Sequence, residues 1–296
     1  MGAANLQINK DVFTLNNGNK IPAVGLGTWR ADSEKEAVDA VLAALKNGYK
    51  HIDTAAIYAN EEFVGEAISK SGIPREELFI TTKLWNSRHK DVSAALDESL
   101  GKLKLDYVDL YLIHWPVSTN PETKEPYPDH DFVDTWKKLQ EIYKKGDKVK
   151  AIGVSNFTVK KLEKLLSADG VDVVPAVNQV EAHPLLTQPE LYNYLKEKDI
   201  LLEAYSPLGS ADSPLFKNET IVEIAKKNEV EPAQVLVSWA VQRHTVVLPK
   251  SVTESRIISN LKTFKLSEED FETLNRLIEK DGVTRTCNPG FNNFDD

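Results

Sequence analysis

Short apolar segments alternate with amphipathic ones along the chain, and this alternation restricts the fold more than any other sequence feature. Amphipathic segments with apolar residues at spacings of three and four, as in surface helices, cover residues 33–48, 91–103, 132–146 and 158–170. Strands that alternate with helices pair in parallel through right-handed crossovers, and eight such units close a (β/α)8 TIM barrel. That fold is predicted here, because the sequence offers eight strand candidates: AVGLG (23–27), YKHID (49–53), LFITTK (78–83), VDLYLIH (108–114), AIGVS (151–155), AVNQV (176–180), ILLEAYS (200–206) and TVVLPK (245–250).

The rest of the chain does not indicate a second domain. Its 296 residues include no long linker and no low-complexity tract, so a single domain over residues 1–296 is predicted. Before the first strand, VFTLNNGNKIPA (12–23) predicts an N-terminal β-hairpin, because Asn-Asn-Gly suits the positive φ angles of tight turns. An open doubly wound sheet is the alternative fold. It is disfavoured because GLGTWR (25–30) has Arg30 where a dinucleotide fingerprint has a third small residue.

Charge and cysteine content restrict the partners and the compartment. Acidic residues outnumber basic ones by 45 to 36, and the net charge of −9 disfavours nucleic acid and anionic membranes as partners. A phosphate-bearing ligand therefore needs a local basic cluster. Cys287 is the single cysteine, which excludes an intramolecular disulfide. Together with the lack of a signal-peptide pattern or a membrane-length apolar stretch, it predicts a cytoplasmic location.

Polar side chains stand at the carboxyl ends of seven consecutive strand candidates. Because parallel barrel strands all end at the same mouth, where barrel enzymes place their catalytic groups, we expect these side chains to converge. Each has an ordinary structural explanation by itself, such as turn formation for Asp53, but Asp53, Lys83 and His114 end three consecutive strands. The complete set is Asp53, Lys83, His114, Ser155 with Asn156, Gln179 with Glu181, Tyr205 with Ser206, and Lys250 with Ser251.

The first three of these side chains are chemically complementary to Tyr58, which follows the second strand. An ammonium group taken out of water needs a partner, so a buried Lys83 is expected beside the carboxylate of Asp53. If the turn brings the Tyr58 hydroxyl to Lys83, the positive charge is expected to lower the tyrosine pKa and to suit it for general acid catalysis. A neutral His114 can then orient a substrate oxygen by hydrogen bonding.

Several motifs in one order resemble the aldo-keto reductase superfamily, in particular its yeast-type glycerol dehydrogenase and carbonyl reductase branch. They are GLGTW, HIDTAAIYANEEFVGEAI, TTKLW, YLIHWP, AIGVSNF, NQVEAHP, AYSPLG and LPKSVTESR, and they span nearly the whole chain. The resemblance implies a barrel with a C-terminal loop near its mouth and a metal-free, NADPH-dependent reduction of carbonyl compounds. It also implies a catalytic tetrad of Asp53, Tyr58, Lys83 and His114, with Tyr58 as proton donor and hydride from C4 of the nicotinamide.

The resemblance further assigns residues to the cofactor and the substrate. Lys250 and Arg256 are expected to hold the 2′-phosphate of NADPH, since a guanidinium group suits bidentate phosphate contact. Trp29, Trp85 and Trp115, with His114, are expected to line an apolar pocket for varied carbonyl compounds, including glyceraldehyde. A small-molecule carbonyl is the expected partner and a monomer the expected state. Ser155, Asn156 and Gln179 are expected to hydrogen-bond the nicotinamide, and Tyr205 is expected to stack on its ring. The other expected cofactor contacts are Gly27, Thr28, Trp29, Ser206, Leu208, Ser210, Ser251, Val252, Thr253 and Asn260.

Two other functions fit parts of the sequence. His51, His114 and His183 provide imidazole ligands for a metal-dependent barrel hydrolase, although no second carboxylate or H-x-H pair accompanies them. The second alternative is a barrel that binds the cofactor but serves as a regulatory or partner-binding subunit. A complete tetrad disfavours it, because binding alone needs no tuned phenol. Turnover of a carbonyl substrate, with and without a chelator, distinguishes the three functions.

Overall fold

The computed structural model describes residues 3–210, 212–291 and 294, and its centre is a sheet of eight parallel strands. Three short strands precede this sheet: β1 (Gln7–Ile8), β2 (Val12–Thr14) and β3 (Lys20–Pro22). The eight strands lie side by side in chain order, and the predicted parallel α/β order is confirmed. Each strand overlaps one predicted segment, although β6 and β9 each extend one residue beyond theirs. They are β4 (Leu26–Gly27), β5 (His51–Asp53), β6 (Phe79–Leu84), β7 (Leu110–Ile113), β8 (Ile152–Ser155), β9 (Val177–Glu181), β10 (Leu201–Tyr205) and β11 (Val246–Val247).

The two edges of this sheet come together. Parallel bridges join Val24 to Val247 and Gly27 to Lys250, and the amide of Gly25 donates to the carbonyl of Val247 at 2.9 Å. A side chain larger than hydrogen at Gly25 would prevent this approach, since a Cβ there would lie 2.7 Å from the ring of His51. Hydrogen bonding therefore continues from β11 back to β4.

The N-terminal segment covers the amino-terminal end of the strands. β2 and β3 pair antiparallel with Phe13 opposite Ile21, and the turn between them contains Gly18 at a φ of 88°. Phe13 and Ile21 belong to one buried cluster with Phe79 and Leu110, the first residues of β6 and β7. Because the hairpin fills this end, the carboxyl ends of the strands are left for a functional site.

Helices follow the strands, and the four predicted helical segments contain the helices Glu34–Lys46, Val92–Leu103, Phe132–Lys145 and Val159–Leu166. Two of the turns after helices use glycine in the left-handed region, Gly72 at a φ of 67° and Gly146 at 77°. Among the described residues, no helix has the length and apolarity needed to cross a bilayer. The helices are α1 (Glu34–Lys46), α2 (Glu61–Ser71), α3 (Val92–Leu103), α4 (Phe132–Lys145), α5 (Val159–Leu166), α6 (Pro189–Glu197), α7 (Pro214–Lys217), α8 (Glu219–Asn228), α9 (Pro232–Gln242), α10 (Glu254–Asn260), α11 (Glu268–Asn275) and α12 (Leu277–Asp281).

Helices α2 and α3 pack with their backbones close together at one glycine. Gly65 is buried in the middle of α2, and a Cβ built on it would lie 2.4 Å from the carbonyl oxygen of Leu103, the last residue of α3. Gly101, also within α3, faces open space instead. Only the first of these glycines is therefore required by packing. Beyond α10, the short strand β12 (Lys262–Thr263) pairs antiparallel with β1 and ties the N-terminal segment to the C-terminal half.

Candidate active site

A cavity of about 910 Å³ opens at the carboxyl ends of the strands and collects nearly all of the predicted site residues. Three predicted residues, Lys83, Ser155 and Glu181, do not line it, because all three are buried behind its wall. The predicted residues that do line it are Gly27, Thr28, Trp29, Asp53, Tyr58, Trp85, His114, Trp115, Asn156, Gln179, Tyr205, Ser206, Leu208, Ser210, Lys250, Ser251, Val252, Thr253, Arg256 and Asn260.

A hydrogen-bonded group of Asp53, Lys83 and Tyr58 lies beneath this cavity. The side chain of Lys83 is 0% exposed, and its Nζ donates to Asp53 Oδ1 at 2.6 Å and to the Thr54 carbonyl at 2.9 Å. The Tyr58 hydroxyl lies 3.3 Å from the same Nζ. Tyr58 ends a single turn of 3₁₀ helix, Ala56–Tyr58, and the chain turns at Ala59 with a φ of 55°. The loop after β5 thus brings the phenol back over the ends of β5 and β6.

Burial has the largest influence on the pKa values of this group. It raises the pKa of Tyr58 above its ordinary value and outweighs the lowering by Lys83, so the predicted lowering of the Tyr58 pKa is wrong for this structure. Burial lowers the pKa of Lys83, but Asp53 and Tyr58 more than offset this, and the lysine pKa is raised. Burial, followed by the charge of Lys83, holds the pKa of His114 well below its ordinary value. At neutral pH the group therefore contains a protonated phenol, an ammonium and a neutral imidazole.

His114 stands beside Tyr58 as the sequence predicted. The two ring centroids lie 5.7 Å apart in an edge-to-face contact. The Trp85 ring makes a second edge-to-face contact with the imidazole, with the centroids 5.4 Å apart. Nδ1 of His114 is buried without a hydrogen-bond partner among the described residues. Because the imidazole is neutral and lines the cavity next to the phenol, it can hydrogen-bond an oxygen that Tyr58 also contacts.

Four further predicted residues are hydrogen-bonded to one another at the ends of β8 to β10. Asn156 Nδ2 donates to the His114 carbonyl at 3.0 Å, and Asn156 Oδ1 accepts from the Tyr205 hydroxyl at 2.7 Å. Asn156 adopts the left-handed region at a φ of 63°, which turns its side chain back toward β7. The Ser155 hydroxyl donates to the carbonyl of Gln179 at 2.8 Å. These bonds fix a polar part of the cavity wall.

Sequence reasoning missed Glu203, a buried carboxylate within this polar group. Gln179 Nε2 donates to Asp53 Oδ2 at 2.9 Å and to Glu203 Oε1 at 2.6 Å. Burial, and then the charge of Asp53, raises the pKa of Glu203 to about 8. Glu203 lies in the middle of ILLEAYS, two residues before Tyr205, so both side chains face the same side of β10. A charged residue within an otherwise apolar strand was the signal that could have identified it.

The far end of the cavity is basic, as predicted for a phosphate site. Lys250 follows β11 and donates to the Arg30 carbonyl at 3.1 Å, and burial lowers the pKa of Lys250. Arg256 is exposed on α10 and also lines the cavity. Arg30, which the sequence analysis treated only as a break in a fingerprint, also lines the cavity. Three cations therefore face this end of the cavity in a chain of net negative charge.

Aromatic side chains form a further part of the cavity wall. Trp29 is 40% exposed at the rim, whereas Trp115 is nearly buried. Phe291 was not predicted, and its ring centroid lies 5.1 Å from that of Trp115 and 6.1 Å from that of Trp85. It belongs to the C-terminal segment, which also brings Cys287 and Pro289 to the cavity. The aromatic wall therefore comes from strand-end loops and from the tail together. Other lining residues that the sequence analysis missed include Ile57, Phe216, Glu231 and Leu248.

Glu181 holds this C-terminal segment in place. Its buried carboxylate accepts from the amide and hydroxyl of Thr286, both at 2.7 Å, from the amide of Cys287 at 2.8 Å, and from His183 Nε2 at 2.8 Å. Burial raises the pKa of Glu181, but the hydrogen bonds from His183 and Thr286 lower it, and the pKa lies below its ordinary value. This strand-end residue therefore anchors the pocket wall and does not line the cavity.

The three histidines of the hydrolase alternative have different surroundings. His51 is buried against Phe79, with Nδ1 3.3 Å from the Pro22 carbonyl, while His183 pairs with Glu181. Throughout the described ranges, no three side chains of His, Cys, Asp or Glu form a group that could hold a metal ion. The ligand set of that alternative is not assembled.

The chain is similar to known proteins over nearly its whole length. The sequence profile of the Aldo/keto reductase family matches residues 23–279. The chain is 50% identical to the glycerol 2-dehydrogenase (NADP(+)) of Saccharomyces cerevisiae over 99% of this chain and 98% of that protein. It is 48% identical to aldehyde reductase YPR1 of the same yeast over 98% of both chains. It is 47% identical to the glyoxal reductase of Bacillus subtilis over 93% of this chain and 95% of the other. The chain belongs to the aldo/keto reductase family.

Proposed function

We propose that this chain reduces aldehydes and ketones to alcohols with NADPH, at the mouth of a closed (β/α)8 barrel that forms one domain. The observation that carries the proposal is the buried Lys83, which bonds Asp53 and Tyr58 beneath a cavity that also contains neutral His114. Relatives named as NADP(+)-dependent dehydrogenase, aldehyde reductase and glyoxal reductase support it. Of the two alternatives, the metal-dependent hydrolase lacks its ligand set and the regulatory subunit leaves the tetrad without a role.

The residues of the cavity fit a nicotinamide dinucleotide phosphate. The cavity joins the tetrad to the basic end, so one extended ligand can reach both. Asn156 and Gln179 offer amide groups and Tyr205 offers an aromatic ring in the cavity that Tyr58 also lines, while Lys250 and Arg256 suit a phosphate. When bound, the reduced cofactor supplies the hydride that a carbonyl carbon accepts.

Tyr58 supplies the proton in this proposal. The carbonyl oxygen of the substrate accepts hydrogen bonds from the Tyr58 hydroxyl and from neutral His114, which fixes its position. As negative charge develops on that oxygen, the Tyr58 O–H bond breaks and the proton forms the alcohol. The phenolate left behind is stabilised by Lys83, 3.3 Å away, and is reprotonated from solvent. Asp53 compensates the buried charge of Lys83 and holds the ammonium in place.

The substrate class follows from the aromatic part of the cavity wall. Trp29, Trp85, Trp115 and Phe291 offer apolar surface with few hydrogen-bonding groups, which suits varied carbonyl compounds better than one polar substrate. The same site can oxidise an alcohol with NADP(+), as the name of the yeast glycerol dehydrogenase indicates for that relative. The cytoplasmic location and the monomeric state stay predictions.

The test is NADPH oxidation with a nitrobenzaldehyde, followed by nicotinamide absorbance, beside NADH and with a chelator. The proposal predicts turnover with NADPH that survives chelation. Tight NADPH binding without turnover of a panel of aldehydes would favour the regulatory alternative, and activity lost on chelation would favour the metal-dependent one.

A further inference from the structure

Glu203 has a buried carboxyl group that the proposed mechanism does not use. It is 0% exposed in the middle of β10, and Oε2 has no hydrogen-bond partner among the described residues. Within the part of the chain that the structure describes, Glu203 makes one hydrogen bond, which Oε1 accepts from Gln179. A buried carboxyl group with one partner costs folding free energy, so its presence beside the tetrad requires a functional explanation.

The hydrogen bonds of Gln179 provide that explanation. A side-chain amide has two N–H bonds, and in Gln179 they point to Asp53 Oδ2 at 2.9 Å and to Glu203 Oε1 at 2.6 Å. Gln179 and Glu203 lie directly opposite each other on neighbouring strands, and Gln179 lines the cavity. With both N–H groups engaged, the amide oxygen is the atom left to face the cavity.

We infer that Glu203 is a positioning residue that, with Asp53, fixes the amide of Gln179 so that its oxygen accepts an N–H from the nicotinamide carboxamide. The inference rests on the proposed function, because it assumes that the nicotinamide occupies this part of the cavity. Asp53 alone engages one N–H and is shared with Lys83. Glu203 engages the second N–H, and the reversed amide would turn its oxygen toward the carboxylate of Asp53.

This role does not depend on the ionisation of Glu203. Burial raises its pKa to about 8, so the carboxyl group changes protonation state only above neutral pH. A protonated carboxyl group keeps one oxygen that accepts a hydrogen bond, and so does a carboxylate. The amide of Gln179 is therefore held on both sides of this pKa, by Glu203 as well as by Asp53.

A pair of ligands that differ at the carboxamide tests the inference. NADP(+) carries the N–H that the Gln179 oxygen would accept, whereas its 3-acetylpyridine analogue carries a methyl group at that place. Affinities for both are measured by quenching of tryptophan fluorescence, for the wild type, Glu203→Leu and Glu203→Gln. Glu61→Gln is the matched control, since Glu61 is also buried but bonds Thr82 outside the cavity.

We expect Glu203→Leu to weaken NADP(+) binding by about threefold to tenfold, the range that one hydrogen bond contributes, with little effect on the analogue. Glu203→Gln retains an acceptor oxygen and should restore most of the difference, and Glu61→Gln should bind both ligands as the wild type does. The inference would be overturned if a folded Glu203→Leu lost affinity equally for both ligands, or kept the wild-type ratio of the two affinities. The proposed function would stand in either case. A wild type that binds no NADP(+) would overturn both.

Discussion

Replacing Glu203 by glutamine should change how the stability of the protein depends on pH. The raised pKa of Glu203, about 8 against an ordinary 4.5, means that the folded protein keeps this proton while the unfolded chain releases it. Between these two values the unfolded state binds fewer protons, so the Glu203 contribution to the free energy of unfolding falls as pH rises. Glutamine has almost the same shape and does not titrate, so Glu203→Gln removes this loss.

The size of the effect follows from the linkage between proton binding and folding. For one group that is protonated when folded and ionised when unfolded, the free energy of unfolding changes by about 1.4 kcal/mol for each pH unit. From about pH 5.5 to about pH 7.5 the wild type should therefore lose about 3 kcal/mol relative to Glu203→Gln. Because Glu203 is 0% exposed, solvent does not screen this effect.

The assay is urea unfolding of both proteins at several pH values over this range, without cofactor. Subtracting the two profiles cancels the titration of all other groups that the substitution leaves unperturbed. The account predicts that Glu203→Gln gains stability over the wild type steadily as pH rises. Parallel profiles would show that Glu203 titrates near its ordinary pKa, and that the buried-carboxyl account of this position is wrong.

Three further substitutions test packing, the cofactor site and the pocket wall. Gly65→Ala places a methyl group against the Leu103 carbonyl and should lower the free energy of unfolding by about 1–3 kcal/mol or more. Gly101→Ala, in open space, should raise it by up to about 1 kcal/mol. Equal urea unfolding midpoints for the two variants would refute the close approach of α2 and α3 at Gly65. Lys250→Ala and Arg256→Ala should each raise the KM for NADPH about tenfold or more, with little effect on the KM for NADH, because NADH lacks the 2′-phosphate; equal increases would remove that assignment. Glu181→Ala leaves the Thr286 and Cys287 donors without their acceptor, so it should raise the KM for an aromatic aldehyde more than the KM for NADPH. The control Glu163→Gln replaces an exposed glutamate on α5 and should change neither KM. An unchanged KM for the aldehyde in Glu181→Ala would contradict the anchoring role.

The strands and the strand-end residues of the cavity were predictable because they depend on local patterns, whereas most other cavity residues were expected only from the family resemblance. Apolar runs between amphipathic helices specify buried parallel strands, and their order fixes which ends meet. Asp53, Lys83 and His114 were recognisable as strand-end residues for this reason. Their convergence with Tyr58 needed only the short turn after β5.

Other features depend on distances between remote parts of the chain, which a pattern does not contain. Phe291 and Cys287 reach the cavity because Glu181 binds the segment that carries them, more than a hundred residues further along. The direction of the Tyr58 pKa shift was wrong because burial, which the sequence does not specify, outweighs the charge of Lys83. Glu203 was missed because it lies within an apolar strand and not at its end.

The most direct test of the account is the Tyr58→Phe variant, assayed for both NADPH binding and aldehyde reduction. Phenylalanine keeps the ring, whose centroid lies 4.9 Å from Lys83 Nζ, and removes only the hydroxyl that donates the proton. The account predicts unchanged affinity for NADPH and a fall in turnover of about 10²- to 10⁴-fold, the range of general acid catalysis. Turnover close to that of the wild type would contradict the central claim that Tyr58 protonates the substrate.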